Sequence, residues 1–247
     1  MTLQSAWFAF LLLLSPAVGS FLGVLVERLP AGRSLLEPSS CAACGVRLRW
    51  RHMVPIASAL ALRQRCAACG APYPGHLLRI ELAAVLVTVL AGSIASGPVA
   101  LTMLAGAFWC LVALFYTDLH TLRLPDPLTG ALALLAYCWA IQDPSRSLIE
   151  PLLSGAGALA AFWLVRWGYF QWRGREGLGL GDVKLAAGLG ALVGWAAMPW
   201  VTLVAAMLAL VLTAVERWRG GGVSHPEARI PFGTYLIGAT FVVLMVV

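Results

Sequence analysis

The sequence predicts an all-α, polytopic membrane protein: about eight transmembrane helices and one small cysteine-bearing cytoplasmic loop domain. Three observations lead there: the composition, the run of apolar stretches, and cations confined to alternate loops. Of 247 residues, 60% are hydrophobic and 11% charged, whereas a soluble domain carries about 25% charged residues. Mean hydropathy is +0.85, more apolar surface than one core absorbs in water. This composition excludes a disordered chain, a nucleic-acid-binding domain and a secreted disulfide scaffold. The net charge of +6 indicates no nucleic-acid partner, because in a membrane protein the side on which charges lie is what matters.

The apolar stretches fall at residues 6–26, 77–94, 98–117, 127–141, 148–165, 183–198, 200–215 and 231–247. Several are nearer about 16 residues than the roughly 20 that a hydrocarbon core of about 30 Å asks for. Ser96-Gly97-Pro98 is a turn signal between the second and third. Asp126-Pro127 and Asp143-Pro144 read as helix starts, each an N-cap carboxylate followed by proline at the first helical position. Residues 1–20 resemble a signal peptide in their small-residue end. They lack a basic n-region, and the first cation, Arg28, follows the apolar run, the reverse of a cleavable signal. They are read as a retained first helix with its N-terminus outside.

Charge placement predicts the topology. Eight arginines lie between Arg28 and Arg79. Arg123 follows the third stretch. Arg166, Arg173, Arg175 and Lys184 flank the loop between the fifth and sixth, and Arg217, Arg219 and Arg229 lie between the last two. Only Arg146 falls in a loop of the opposite set, so sixteen of seventeen cations share one side. The positive-inside rule makes that side cytoplasmic. Eight helices then leave both termini outside.

The long first loop contains Cys41-Ala42-Ala43-Cys44-Gly45 and Cys66-Ala67-Ala68-Cys69-Gly70, the same pentapeptide twice, with 21 residues between the pairs. That is close to the spacing of four-cysteine zinc sites. A two-residue spacer lets both thiolates of a pair face one point, and glycine permits the turn that follows. Four thiolates close a tetrahedron and leave no position for substrate, so the predicted zinc is structural. The alternative is a pair of redox dithiols; a cytosolic loop without a thioredoxin-like strand pattern favours zinc. Cys110 and Cys138 lie in apolar stretches as small hydrophobes.

The eleven acids can be inspected one by one. Asp143, Glu150, Glu176, Glu216 and Glu227 sit at stretch ends or in loops and read as solvated. Glu37 lies in the polar loop. N-capping accounts for Asp126. Glu27 and Glu81 lie near arginines at helix ends, to pair locally or face a polar groove. Asp118 ends an apolar run, where the helix dipole disfavours a carboxylate; the plain alternative is a solvated loop acid paired with Arg123. Asp182 lies in Gly177-Leu178-Gly179-Leu180-Gly181-Asp182-Val183-Lys184 before the sixth stretch, and the plain alternative is an N-cap beside Lys184. Three alternate glycines exceed what a cap needs. They let an extended segment pass beside the acid. The topology puts both acids at the cytoplasmic edge, where two carboxylates sharing a proton could activate one water against a peptide carbonyl. One acts as base while the other polarises the carbonyl.

These residues resemble the type IV prepilin peptidases, membrane aspartyl proteases of the GxGD class. Gly179-Leu180-Gly181-Asp182 is similar to the family signature, extended by Glu176-Gly177 and Lys184-Leu185. Asp118 with Leu124-Pro125-Asp126 and Leu128-Thr129 resembles the first catalytic segment. Gly19-Ser20-Phe21-Leu22, Arg28-Leu29-Pro30, the two cysteine pairs and Ile230-Pro231-Phe232-Gly233 resemble further family elements, in the same order. The resemblance covers nearly the whole chain. It departs at Gly23, where the family usually has asparagine, at His76-Leu77-Leu78, where arginine-tyrosine-proline is usual, and at Thr234, where proline is common. The first two departures lie in the amino-terminal part, where methylation is usually placed.

The resemblance implies cleavage of the basic leader of pilus or secretion-system prepilin or pseudopilin precursors. N-methylation of the new terminus with S-adenosylmethionine follows in many members; the alternative is proteolysis only. It implies Asp118 and Asp182 as the catalytic pair and Cys41, Cys44, Cys66 and Cys69 as zinc ligands. Gly179, Gly181, Lys184 and Glu81 are the candidates to contact substrate. The expected organisation is a first transmembrane helix at 1–27, a cytoplasmic zinc-binding loop at 28–76, helices two and three at 77–117, and a protease membrane core at 118–247. Membrane lipid and precursors are the expected partners, without nucleic acid, in a bacterial inner membrane. Two other classes compete. A proton-coupled small transporter would place acids near helix centres rather than at one edge, and a zinc-containing scaffold leaves the glycine-rich aspartate segment unexplained.

Overall fold

A computed structural model of the chain describes residues 3–143, 147–218 and 230–246. Among them it is all-helical: α1 (Leu3–Arg28), α2 (Ala57–Ala61), α3 (His76–Ile94), α4 (Pro98–Thr121), α5 (Asp126–Ala140), α6 (Glu150–Arg173), α7 (Leu180–Val193), α8 (Met198–Trp218) and α9 (Phe232–Val246). Each predicted apolar stretch has its helix. By length and composition, α1, α3, α4 and Met198–Val215 of α8 can cross a membrane, and α9 is a shorter apolar helix. Helix α7 has 14 residues and spans about 21 Å at about 1.5 Å per residue. Large apolar side chains lie bare on several helices, among them Leu13, Leu86, Trp200 and Leu210. A water-soluble monomer rarely exposes such a surface; hydrocarbon covers it here, and the protein is a multi-pass membrane protein. Pro144, Arg146, Arg219, Glu227 and Arg229 lie outside the described residues, as do the side chains of Glu216 and Arg217.

Two helix starts differ from expectation. Helix α6 begins at Glu150-Pro151 rather than at Asp143-Pro144, so the proline in its first turn is Pro151. Asp126 does not cap α5: it is the first helical residue, the cap position is Pro125, and no side chain caps that end. Its carboxylate instead accepts a 2.6 Å hydrogen bond from Lys184 Nζ. At Asp126 the Asp-Pro pair does mark a helix start, but the carboxylate turns to a charged partner from another helix instead of capping its own. The predicted turn at Ser96-Gly97-Pro98 is present, with Gly97 at φ +107° and α4 starting at Pro98.

The chain divides into two compact units, Met1–Tyr116 and Thr117–Val247. In the first, α1 packs on α3 where small residues let backbones approach. A Cβ on Gly19 would lie 2.6 Å from Glu81 Cα, and one on Gly23 would lie 2.9 Å from Leu77 Cδ2. Two departures from the family pattern, Gly23 and Leu77, therefore touch each other. Trp109 Nε1 of α4 donates to Thr88 Oγ1 of α3 at 2.9 Å. In the second unit α7 is central, packed by α5, α6 and α9. A Cβ on Gly190 would meet Ser154 O of α6 at 2.6 Å, and one on Gly188 would meet Leu132 of α5 at 2.9 Å. The small residues of α7 thus let three helices close around a buried segment whose third residue is Asp182.

Candidate functional site

The second unit brings Asp118 and Asp182 together. Asp118 stands in the last turn of α4, which runs on to Thr121, and Asp182 in the first turn of α7. They are 5% and 9% exposed, so both carboxylates sit inside the protein rather than in solvated loops. Gly233, at the start of α9, lies between them. A Cβ built there would be 3.1 Å from Asp118 Oδ2 and 3.1 Å from Asp182 Oδ1. The two oxygens are thus separated by at most twice that distance. Thr234 donates to Asp118 Oδ2 twice, from its backbone N–H at 2.7 Å and from Oγ1 at 3.0 Å.

The glycine-rich segment is closely packed. Gly179 runs beside Asp182, with its Cβ direction 3.2 Å from Oδ2. A Cβ on Gly181 would lie 2.9 Å from Leu124 Cβ, and one on Gly177 would collide with the Tyr169 ring. Arg166 of α6 donates to Leu178 O and pairs with Glu176, which ties the segment to the helix before it. Lys184 is engaged by Asp126. Glu81 belongs to the other unit. It is buried there, and its Oε2 accepts from Ile56 N–H at 2.7 Å. It braces a tight turn in which Ala57 N–H meets Pro55 O and Ile56 has φ +59°, a conformation that costs a β-branched residue energy. Glu27 lies 3.4 Å from His76 Nε2.

The cysteine pairs converge as predicted. All four Sγ atoms lie within 4.8 Å of one another, with Cys41–Cys69 at 3.8 Å and Cys44–Cys66 at 4.0 Å. A tetrahedral ion bound at about 2.3 Å requires sulfur separations near 3.8 Å, so the donor set fits zinc. Both knuckles share one backbone pattern. Gly45 N–H bonds Cys41 O and Gly70 N–H bonds Cys66 O, each at 2.9 Å, with the two glycines at φ +71° and +72°. An isolated bridge flanks each knuckle, Ser40 with Arg47 and Arg65 with Pro72. Backbone amides of Cys69 and Ala68 pull the Cys66 thiol down to about 6. The Ala71 amide favours the Cys69 thiolate, but the facing sulfurs, Cys44 foremost, push that thiol up to about 12. Four thiolates so close repel one another, which is the situation a cation relieves. Cys110 and Cys138 are half-buried in α4 and α5.

Gly233 and Thr234 stand out in the sequence only through the Ile-Pro-Phe-Gly resemblance; nothing local shows that they contact the acids. Asp118 is 116 residues from Thr234.

Fold and site together define a class: a helical membrane protein with a buried carboxylate pair at helix ends, the equipment of an aspartic peptidase. Residues 13–94 match the bacterial peptidase A24 N-terminal domain and residues 104–214 match the type IV leader peptidase family. A prepilin leader peptidase/N-methyltransferase of Burkholderia pseudomallei (strain 1026b) is 34% identical over 261 residues, covering 92% of this chain and 82% of that one. One of Dickeya chrysanthemi is 33% identical over 259 residues, covering 95% and 91%. One of Klebsiella pneumoniae is 34% identical over 206 residues, covering 81% and 90%. The chain belongs to the type IV leader peptidase family. No solved structure matches it significantly.

Proposed function

We propose that this chain removes the basic leader of type IV prepilin or pseudopilin precursors at the cytoplasmic membrane face, by a water activated between Asp118 and Asp182. The observation that carries the reading is the pair of buried carboxylates on either side of Gly233. A water held there gives a proton to one carboxylate while its oxygen attacks the scissile carbonyl. The other acid, protonated, donates to the carbonyl oxygen. Burial excludes competing water and strengthens both interactions. A transporter's acids would stand near helix centres; these stand at helix ends.

The cation distribution supports the cytoplasmic side. It puts the leader, the cysteine loop and the acids in one compartment of a bacterial inner membrane. Zinc held by Cys41, Cys44, Cys66 and Cys69 serves structure, since four protein ligands leave no place for substrate. Methylation of the new amine from S-adenosylmethionine is supported by the relatives' names.

The test is incubation of purified protein with a precursor carrying a basic leader, followed by mass analysis. Asp118→Asn and Asp182→Asn should each abolish cleavage in folded protein, because the swap keeps shape but removes the titrating group. Cleavage at the parental rate by the Asp182 variant overturns the mechanism. Label from S-adenosylmethionine should reach the new N-terminus; cleavage without label leaves a peptidase only.

A further inference from the structure

A carboxylate near the end of its own helix faces the negative end of the dipole. Asp118 stands three residues before the end of α4 at Thr121. Its compensation comes from α9. Thr234 is the third residue of that helix, so its N–H is one of the orphan donors of a helix start. That N–H and the Thr234 hydroxyl both point at one oxygen, Oδ2 of Asp118, at 2.7 and 3.0 Å. An oxygen that accepts two hydrogen bonds does not itself carry the proton, and two donors at the positive end of a helix favour the ionised form of the group. Asp182 has the Gly179 backbone N–H as its donor among the described residues, one against the two on Asp118.

Asp182 also stands in the first turn of its own helix, α7, so the asymmetry rests on the two Thr234 bonds rather than on the helix dipoles. The titratable group facing Asp118 from α7 is Asp182 itself, and Lys184 of the same helix is bonded to Asp126. Helix α9 carries no charged residue. On its own side of the chain, His120 and Arg123 are exposed.

Resting on the peptidase reading, we propose that Thr234 is a positioning residue that assigns the two acids their roles, keeping Asp118 as the base toward water and leaving the shared proton on Asp182. In the attack, the water O–H bond breaks and its proton passes to the free oxygen of Asp118. The water oxygen bonds to the carbonyl carbon, and the Asp182 proton moves to the carbonyl oxygen. In the collapse, Asp118 returns its proton to the leaving nitrogen as the C–N bond breaks, and Asp182 regains one from the diol.

The test compares Thr234→Ser, Thr234→Val and Thr234→Pro with the parental chain by kcat and KM against pH, using the basic-leader precursor, with thermal unfolding alongside. Serine keeps both donors and should keep the parental profile. Valine keeps the N–H but loses the hydroxyl. Its kcat should fall about tenfold, with little change in KM, and its acid limb should move up by about one pH unit, as loss of one bond to a charged group predicts. Proline lacks both donors and should move it further. If valine packs badly, Thr234→Ala serves the same comparison. An acid limb unmoved in valine, alanine and proline, while the parental chain cleaves, removes the role of Thr234 alone. A parental chain that leaves the precursor intact removes the peptidase reading and this inference with it.

Discussion

Gly233→Ala tests whether the two acids work as one unit. The added methyl would meet Asp118 Oδ2, Asp182 Oδ1 and Leu124 Cδ1, each at 3.1 Å. Nonbonded heavy atoms are comfortable at about 3.5 Å or more, so each neighbour must yield by a few tenths of an ångström. Overpacking of this kind costs about 1–3 kcal/mol. Alanine in a helix returns about 1 kcal/mol relative to glycine, and Gly233 is already helical. Net stability should therefore fall by no more than about 2 kcal/mol. Activity should fall much further, because a displacement of about 1 Å at reacting groups costs roughly a hundredfold, and here the wedge enters between both acids. We expect kcat to drop at least tenfold in a precursor-cleavage time course read by mass analysis, with thermal unfolding little changed. Gly238→Ala is the control on the same helix, since a Cβ there meets nothing within 4 Å; it should cleave at the parental rate. Parental kcat in Gly233→Ala would refute the idea that the paired carboxylates share one water at this point.

Three further outcomes follow from the same geometry. Asp126→Asn should leave substantial activity and cost at most about 1 kcal/mol, because its partner Lys184 and its own carboxylate are largely exposed and such pairs contribute little; cleavage assays and unfolding curves read both. Metal analysis should find about one zinc per chain, lost in the Cys41→Ser, Cys69→Ser double variant together with order in the loop, read by limited proteolysis; full zinc in that variant removes the assignment. Gly190→Ala should destabilise by about 1–3 kcal/mol or more, because its Cβ would meet the Ser154 carbonyl at 2.6 Å, and backbone cannot step aside. Gly130→Ala, where nothing lies within 4 Å, should not, and thermal unfolding of the two variants in detergent separates them.

Membrane character, the helices and the cysteine site were legible in the sequence because each is written locally. Apolar runs are contiguous, so burial in hydrocarbon needs no knowledge of neighbours. The two knuckles carry their own ligands and their own left-handed glycines, Gly45 and Gly70. Asp118 and Asp182 could be singled out because a helix end or a glycine-rich segment made each locally odd. Their partners could not. Asp126 looked like a cap until Lys184, from another helix, proved to hold its carboxylate. Glu81, expected to pair locally with arginine or to face a polar groove, braces the turn at Ile56. Thr234 meets Asp118 across 116 residues, and Gly233 beside it lies against the same acid. Local sequence sets which segments become helices and which side chains are chemically out of place. Which helix start donates to which buried acid depends on how Asp118, α7 and α9 come together within the second unit, and that is decided by small residues packing over distances no local pattern encodes.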